Sequence, residues 1–220
     1  MITSTLLVAV LSTVSYVSSS FVQNAIKSNA LQLTSPTDGW KQVNFDYVIQ
    51  KPYDKQLSQR YELKDGAHHF WVFDNDKPHS PSSDTLPRTE MRIKNDYTGG
   101  NHQFEADFYI PSGTSGTSIF QIFGGGGGHA TSFMMGIYDG QLKHYHSETL
   151  ATNALNRWFH LNVIHFTGSR KIIVYLDNKK VFEGQDNGHD NHYFKCGVYS
   201  KPERVHKMEV FFKNIKVYTK

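Results

Sequence analysis

Residues 103–111 read QFEADFYIP, and this stretch decides the fold class. Its apolar side chains occupy every second position, namely Phe104, Ala106, Phe108 and Ile110. The positions between them carry Glu105, Asp107 and Tyr109. Successive side chains of a β-strand point to opposite faces, so this alternation is typical of a strand with one buried face.

The same period of two recurs along the rest of the chain. RWFHLNVIHF (157–166) and MEVFFKNIKVY (208–218) predict two further strands. MMGIYDGQLKHYH (134–146) predicts a hairpin that turns at Asp139-Gly140, and RKIIVYLDNKKVFEG (170–184) predicts another that turns at DNKK. At most one short helix is expected, near residues 152–157. We therefore predict an all-β sandwich or jelly roll with less than about a tenth of the chain in helices.

Composition narrows the class of protein. The chain has 220 residues with 12 Tyr and 15 Phe, which is enough apolar surface for a large core and excludes a disordered protein. Its net charge of +3 is too small to indicate nucleic-acid binding by charge alone. The single cysteine, Cys196, excludes a disulfide framework and a cysteine-based zinc site. The 12 histidines are scattered without a third acidic ligand at a usual spacing, so no metal site is predicted.

The N-terminal residues are predicted to direct export. Residues 1–20 carry no charge, contain a short apolar run and end in small residues, a pattern that indicates a signal peptide cleaved near Ser20. Residues 21–35 form a polar lead-in, and residues 36–220 are predicted to be a single domain. No later run approaches the length of about 18 apolar residues that a membrane-spanning helix needs.

Two strand-like segments place charged or polar side chains on one face. In PRTEMR (87–92), Arg88, Glu90 and Arg92 share a face, where two guanidinium groups beside one carboxylate are suited to gripping carboxylates. The alternative is a solvated charged face. In SIFQIF (118–123), Gln121 is a polar residue within an apolar strand, so it needs a ligand or a structural hydrogen-bond partner.

A third segment, YFKCGVY (193–199), separates into an apolar and a polar face. Phe194, Cys196 and Val198 share the apolar face, and Cys196 is predicted to be a packed thiol. The polar face carries Tyr193, Lys195, Gly197 and Tyr199. Gly197 predicts a gap for a ligand that lies across the sheet. The alternative is an aromatic ladder with a Lys extending to solvent. The glycine run 124–128 lacks the Lys-Ser/Thr of a phosphate loop and is predicted to lie at the rim of the site.

The segments RTEMR, QIF and YFKCGVY resemble, in order and spacing, the three motifs of alginate-lyase-type β-jelly-roll proteins. Phe123 stands where that pattern has a histidine, which makes the chain more similar to glucuronan lyases, whose catalytic histidine comes from an earlier loop; His79 would be that residue. A longer resemblance, to plant citrate-binding-protein-type members of this group, covers nearly the whole chain after the predicted signal peptide. It includes SPTDGW, KPYDKQLSQRYELKDG, DKPHSPSSDTLPRTEMRI and NRWFHLNVIHF.

The resemblance implies a concanavalin-A-like β-jelly roll and an exported protein, extracellular or vacuolar. It also implies a lyase that cleaves a 4-linked polyuronate, of glucuronan or alginate type, by β-elimination. The residues carried over as catalytic are Tyr199, Gln121, His79 and Arg88. Those carried over as substrate-binding are Arg92, Lys195, Tyr193 and Glu90. The scheme requires no metal and no organic cofactor.

A second function stays open at this point. The same face of arginine, glutamine and lysine is equally suited to clamping citrate or an acidic glycan without catalysis. The expected partner is thus an acidic polysaccharide or a small polycarboxylate, bound by a monomer, with no nucleic acid and no transmembrane segment involved. A structural or interaction domain, which uses the fold alone, is the third alternative.

Overall fold

The alternating segments form strands in the computed structural model, which describes residues 35–126, 128, 130–188 and 191–220. The strands are β1 (Lys41–Val43), β2 (Tyr47–Gln50), β3 (Tyr61–Lys64), β4 (Ala67–Phe73), β5 (Arg88–Ile93), β6 (Asn101–Tyr109), β7 (Thr117–Phe123), β8 (Thr131–Tyr138), β9 (Gln141–His144), β10 (Glu148–Ala151), β11 (Trp158–Phe166), β12 (Lys171–Leu176), β13 (Lys179–Gln185), β14 (Tyr193–Ser200) and β15 (Lys207–Thr219). Among these described residues the only helical segments are two three-residue 3-10 helices, Leu57–Gln59 and Thr167–Ser169.

The strands form two antiparallel sheets. One has seven strands in the order β10-β9-β8-β7-β14-β5-β2. The other has eight, in the order β13-β12-β11-β6-β15-β4-β3 with β1 also pairing with β15. The predicted all-β, two-sheet antiparallel jelly roll is therefore confirmed, and the helix suggested at 152–157 is absent from that segment, which consists of bends.

The core lies between the inner faces of the two sheets. Phe104, on β6 of the eight-stranded sheet, has its ring centroid 4.8 Å from that of Phe120 and 5.8 Å from that of Phe194. Phe120 and Phe194 belong to β7 and β14 of the other sheet, so these aromatic contacts join the sheets. Burying a Phe side chain contributes roughly 1.5–3 kcal/mol, so alternation along each strand largely fixes which face turns inward.

Two-residue turns set the register of three hairpins. Asp65-Gly66, Asp139-Gly140 and Asp177-Asn178 all have two successive positive φ angles, the conformation of a type I′ turn. The turn predicted at Asp139-Gly140 is confirmed. The second predicted turn is shorter than the sequence indicated: Lys179 and Lys180 already belong to β13, because Asn178 adopts the left-handed conformation that closes the hairpin.

The predicted signal peptide (1–20) and all of the lead-in (21–35) except Ser35 lie outside the described residues. Residues 35–220 make up one compact unit, apart from the few positions not described. A search of the described residues for a helix long and apolar enough to span a membrane finds none.

Candidate functional site

The three sequence motifs lie on neighbouring strands of the seven-stranded sheet. β14 is flanked by β7 on one side and β5 on the other. Lys195 lies opposite both Gln121 and Arg92, and Tyr199 lies opposite Arg88. Because their side chains point away from the core, these residues share the outer face of the sheet, which we call the site face.

A buried carboxylate organises the centre of the site face. Glu90 is fully buried, and Lys195 Nζ donates a hydrogen bond to its Oε2 at 2.6 Å. Gln121 Nε2 donates to Oε1, and Arg88 Nη1 lies 3.4 Å from Oε2. Burial favours the neutral acid, but the charges of Lys195 and Arg88 together with these hydrogen bonds hold the pKa of Glu90 below its usual range. We call this group the Glu90 cluster.

Tyr199 lies at one end of the Glu90 cluster, next to two cations. The guanidinium carbon of Arg88 and Lys201 Nζ are each 3.9 Å from the centroid of its ring. Both contacts are within cation–π range. Among the described residues no hydrogen bond is made to the Tyr199 hydroxyl, so this oxygen can serve a ligand.

His79 approaches the same cluster from the loop that precedes β5. Its Nδ1 is buried without a hydrogen-bond partner. Burial, followed by the positive charges of Arg88 and Lys195, lowers the pKa of His79. The imidazole is therefore neutral at pH 7, the form in which it can accept a proton.

Arg92 and Tyr193 form a separate group at the other end of β14. Arg92 makes two hydrogen bonds of 2.6 Å to the carboxylate of Asp96, and its guanidinium carbon lies 3.9 Å from the Tyr193 ring centroid. Tyr193 in turn stacks on Phe123 at 4.8 Å. Asp96 therefore compensates the charge of Arg92, and the predicted role of Arg92 in substrate binding stays a prediction.

The surroundings of Lys195 and Gly197 differ from those expected from the sequence. The Lys195 side chain is 1% exposed and bound to Glu90, so it holds the buried carboxylate of the cluster, and its predicted contact with substrate stays a prediction. At Gly197, a Cβ atom would lie 2.4 Å from the carbonyl oxygen of Thr89 and 2.8 Å from Glu90 Cα, and φ is +135°. The glycine is thus required by the close approach of β14 and β5, and the interpretation of a gap for a ligand is wrong.

Lys201 and a largely buried group that we call the Asp186 cluster were not predicted from the sequence. Lys201 comes two residues after Tyr199, so extending the alternation of β14 by one step would have found it. The Asp186 cluster consists of Tyr97, His165, Arg170, Asp186 and His192. Its members are spread between residues 97 and 192, so no local pattern marks it.

The Asp186 cluster offers three close ligand atoms for a metal, from His165, Asp186 and His192. However, its polar groups already satisfy one another. Asp186 accepts hydrogen bonds from Arg170 Nε at 2.9 Å and from the backbone N–H of Gly188 at 2.9 Å, and lies 3.0 Å from His165 Nε2. His165 Nδ1 is paired with the Tyr97 hydroxyl at 3.0 Å. We therefore interpret this cluster as structural.

Comparison with known proteins gives two kinds of match. The sequence profile of the family described as Alginate lyase matches residues 27–219. A citrate-binding protein of Hevea brasiliensis is 45% identical over 188 residues, which cover 83% of this chain and 79% of that protein.

Solved structures of alginate lyases share the fold. The enzyme from Corynebacterium sp. superposes with a TM-score of 0.63 at 15% identity, covering 78% of this chain and 93% of that one. Alginate lyase AlgAT5 of polysaccharide lyase family 7 gives 0.61 at 18% identity, with the same coverage of 78% and 93%. A family 7 alginate lyase, A1-II′, in complex with substrate gives 0.62 at 17% identity, with coverage of 79% and 92%.

Proposed function

The chain belongs to the alginate lyase family, and on that premise we propose that it is a polysaccharide lyase that cleaves a 4-linked polyuronate by β-elimination. The observation that carries the proposal is the position of Tyr199. Its hydroxyl has no partner among the described residues, and its ring lies 3.9 Å from each of two cations. A proton-transferring phenol and a site for the substrate carboxylate are thus adjacent.

The reaction would begin by neutralising the carboxylate attached to C5. Arg88 uses Nη1 on Glu90 and Gln121 uses one of its two amide hydrogens on Glu90, so both retain donors for this task. These donors are fixed in advance by the Glu90 cluster. Preorganised donors aimed at developing charge are usually the largest single contribution to catalysis.

Proton transfer would then complete the elimination. A base removes the C5 proton, the C5–H electron pair forms the C4=C5 double bond, and the C4–O4 bond breaks. Tyr199 delivers a proton to the departing O4 and, where the C5 proton lies on the same side, also removes that proton. His79, neutral at pH 7, would act as the base or as a carboxylate partner. Atoms balance without water or a cofactor.

The substrate class follows from Phe123. Its ring stacks on Tyr193 and offers no proton-transferring group where alginate-type members have a histidine. With His79 as the histidine of the site, a glucuronan-type polymer is the substrate that we place first.

Ultraviolet absorbance of the unsaturated product tests the proposal directly. The full chain is incubated with glucuronan, polymannuronate and polyguluronate, and we expect a rise in absorbance with at least one of them. Tyr199→Phe should lower turnover by about 10²–10⁴-fold because it removes a proton-transferring group and keeps the ring. Tyr109→Phe, the same change on the other sheet, serves as the matched control and should keep full activity.

A second candidate function is the binding of a small polycarboxylate. The 45% identity to a citrate-binding protein favours it, and the cations beside Tyr199 would serve it equally well. The wild-type protein should bind citrate in a calorimetric titration if this second function is correct. Such binding, with no unsaturated product from any of the three polymers, would favour it over the lyase.

A further inference from the structure

Lys201 occupies a fixed position at the end of β14. Its backbone N–H donates to the carbonyl oxygen of Gly116 at 2.8 Å, and its ammonium lies 3.9 Å from the Tyr199 ring centroid. No carboxylate of the described residues approaches Lys201 Nζ within ion-pair distance. The nearby Glu203 lies 3.9 Å from His146 instead.

Charge pairing on the site face leaves Lys201 as an uncompensated cation. Lys195 is paired with Glu90 at 2.6 Å, and Arg92 is paired with Asp96 at 2.6 Å. The contact of Arg88 with Glu90 is longer, at 3.4 Å from Nη1 to Oε2, and Lys195 already neutralises this carboxylate. The surplus of positive charge therefore lies on Arg88 and Lys201, which both contact Tyr199.

We propose that Lys201, together with Arg88, binds a carboxylate of the ligand beside the Tyr199 hydroxyl. The inference rests on the proposed site, since it assumes that the acidic substrate lies across Tyr199. It requires a carboxylate of the ligand next to the Tyr199 phenol, whether that carboxylate belongs to a uronic residue or to a small polycarboxylate.

The environment of Lys201 makes this interaction sensitive to pH. Burial, reinforced by the charges of Arg88 and Lys195 and opposed by Glu90 and Glu203, lowers the pKa of Lys201 to about 8. Lys201 is therefore charged at pH 7 and loses its proton, and with it the charge, as the pH rises through about 8. A carboxylate bound beside it would favour the charged form, so binding should weaken from pH 7 to pH 9.

Calorimetric titration with citrate and with a glucuronate tetrasaccharide tests the proposal, at pH 7 and at pH 9. We expect Lys201→Met to weaken binding about tenfold or more at pH 7, the effect of losing a charge-assisted hydrogen bond. Lys201→Arg should keep binding at both pH values because arginine stays charged. The matched control is Lys213→Met, which removes a lysine that lies 4.0 Å from the Trp158 ring on the other sheet and should change nothing.

The outcomes separate this inference from the lyase. If the wild-type protein releases unsaturated product while Lys201→Met binds as tightly as wild type, the lyase stands and the role of Lys201 is overturned. If Lys201→Met loses binding and its pH dependence while no polymer is cleaved, the role of Lys201 stands and the lyase fails. Binding of neither ligand by the wild-type protein overturns the inference. Persistence of the pH dependence in Lys201→Met also overturns it.

Discussion

The Glu90 cluster and the Asp186 cluster are built from similar parts but differ in completeness. Each has a buried carboxylate held by a cation and a further side chain. In the Asp186 cluster, the side-chain polar atoms of Tyr97, His165 and Asp186 are all bonded, and His192 Nδ1 lies 3.3 Å from the carbonyl oxygen of Phe123. Around Glu90, by contrast, the buried atoms Arg88 Nε and His79 Nδ1 have no partner. Burial and charge alone therefore do not distinguish the two clusters, and the proposed function rests on the unpartnered atoms that lie near Tyr199.

The largest expected effect comes from removing each carboxylate charge without changing its shape. Glu90→Gln and Asp186→Asn should each lower the free energy of unfolding by about 3–5 kcal/mol, because each leaves a buried cation or imidazole without its partner. Urea denaturation measures both losses. Specific activity of the folded protein should fall sharply for Glu90→Gln and stay near wild type for Asp186→Asn. Equal losses of activity would break the distinction between the two clusters.

A smaller effect is expected where β14 approaches β5 beside Glu90. Gly197→Ala combines a left-handed φ with a clash against the backbone of Thr89 and Glu90, so it should cost about 1–3 kcal/mol and also lower activity. Gly66→Ala is the control, since Gly66 has φ +75° but open space around it. Thermal melting should show a greater loss for Gly197→Ala. If the two melt alike, backbone strain alone explains the glycine, and contact with Glu90 does not.

The last prediction concerns the pH dependence of stability, which accumulates gradually over the acid range, and it belongs to the Asp186 cluster. Burial, opposed by Asp186, lowers the pKa of His165 to about 4. The unfolded chain takes up this proton near pH 6.5, so stability falls as the pH drops from about 6.5 to 4, by about 1.4 kcal/mol per unit for one group. His165→Gln cannot titrate and should make the slope shallower by that amount in urea unfolding at pH 5–6.5. An unchanged slope would mean that His165 titrates normally.

Sequence periodicity predicted the strands and the motif surface because both depend on local alternation. Arg88, Gln121 and Tyr199 could be placed on one face once their strands were neighbours, and the register brings them together. Local alternation could not predict which arginine of the site face has its charge compensated and which does not. Whether Arg92 or Arg88 remains free depends on Asp96, which lies beyond the end of β5 and reaches back to Arg92.

The Asp186 cluster shows the other limit of sequence reasoning. His165 and Asp186 meet because β11, β12 and β13 run side by side, so that the residue following β13 returns to the end of β11. The order of the strands in the sheet produces this proximity, and it cannot be predicted from the spacing of the residues along the chain. Gly197 was misjudged for a related reason, since only the neighbouring strand reveals what its missing side chain would strike.

The edge strand β13 has a consequence for how copies of the protein meet. It is the last strand on one side of the eight-stranded sheet, and no described strand pairs with its outer edge. Exposed Lys179 and Lys180 lie at the start of this edge, and Lys180 is also ion-paired with Glu183 at 2.7 Å. Two copies aligned edge to edge with these lysines in register would bring like charges together, a device that opposes the extension of a sheet between molecules. We expect the protein to resist fibril growth through this edge, and replacing both lysines with uncharged β-formers should promote it.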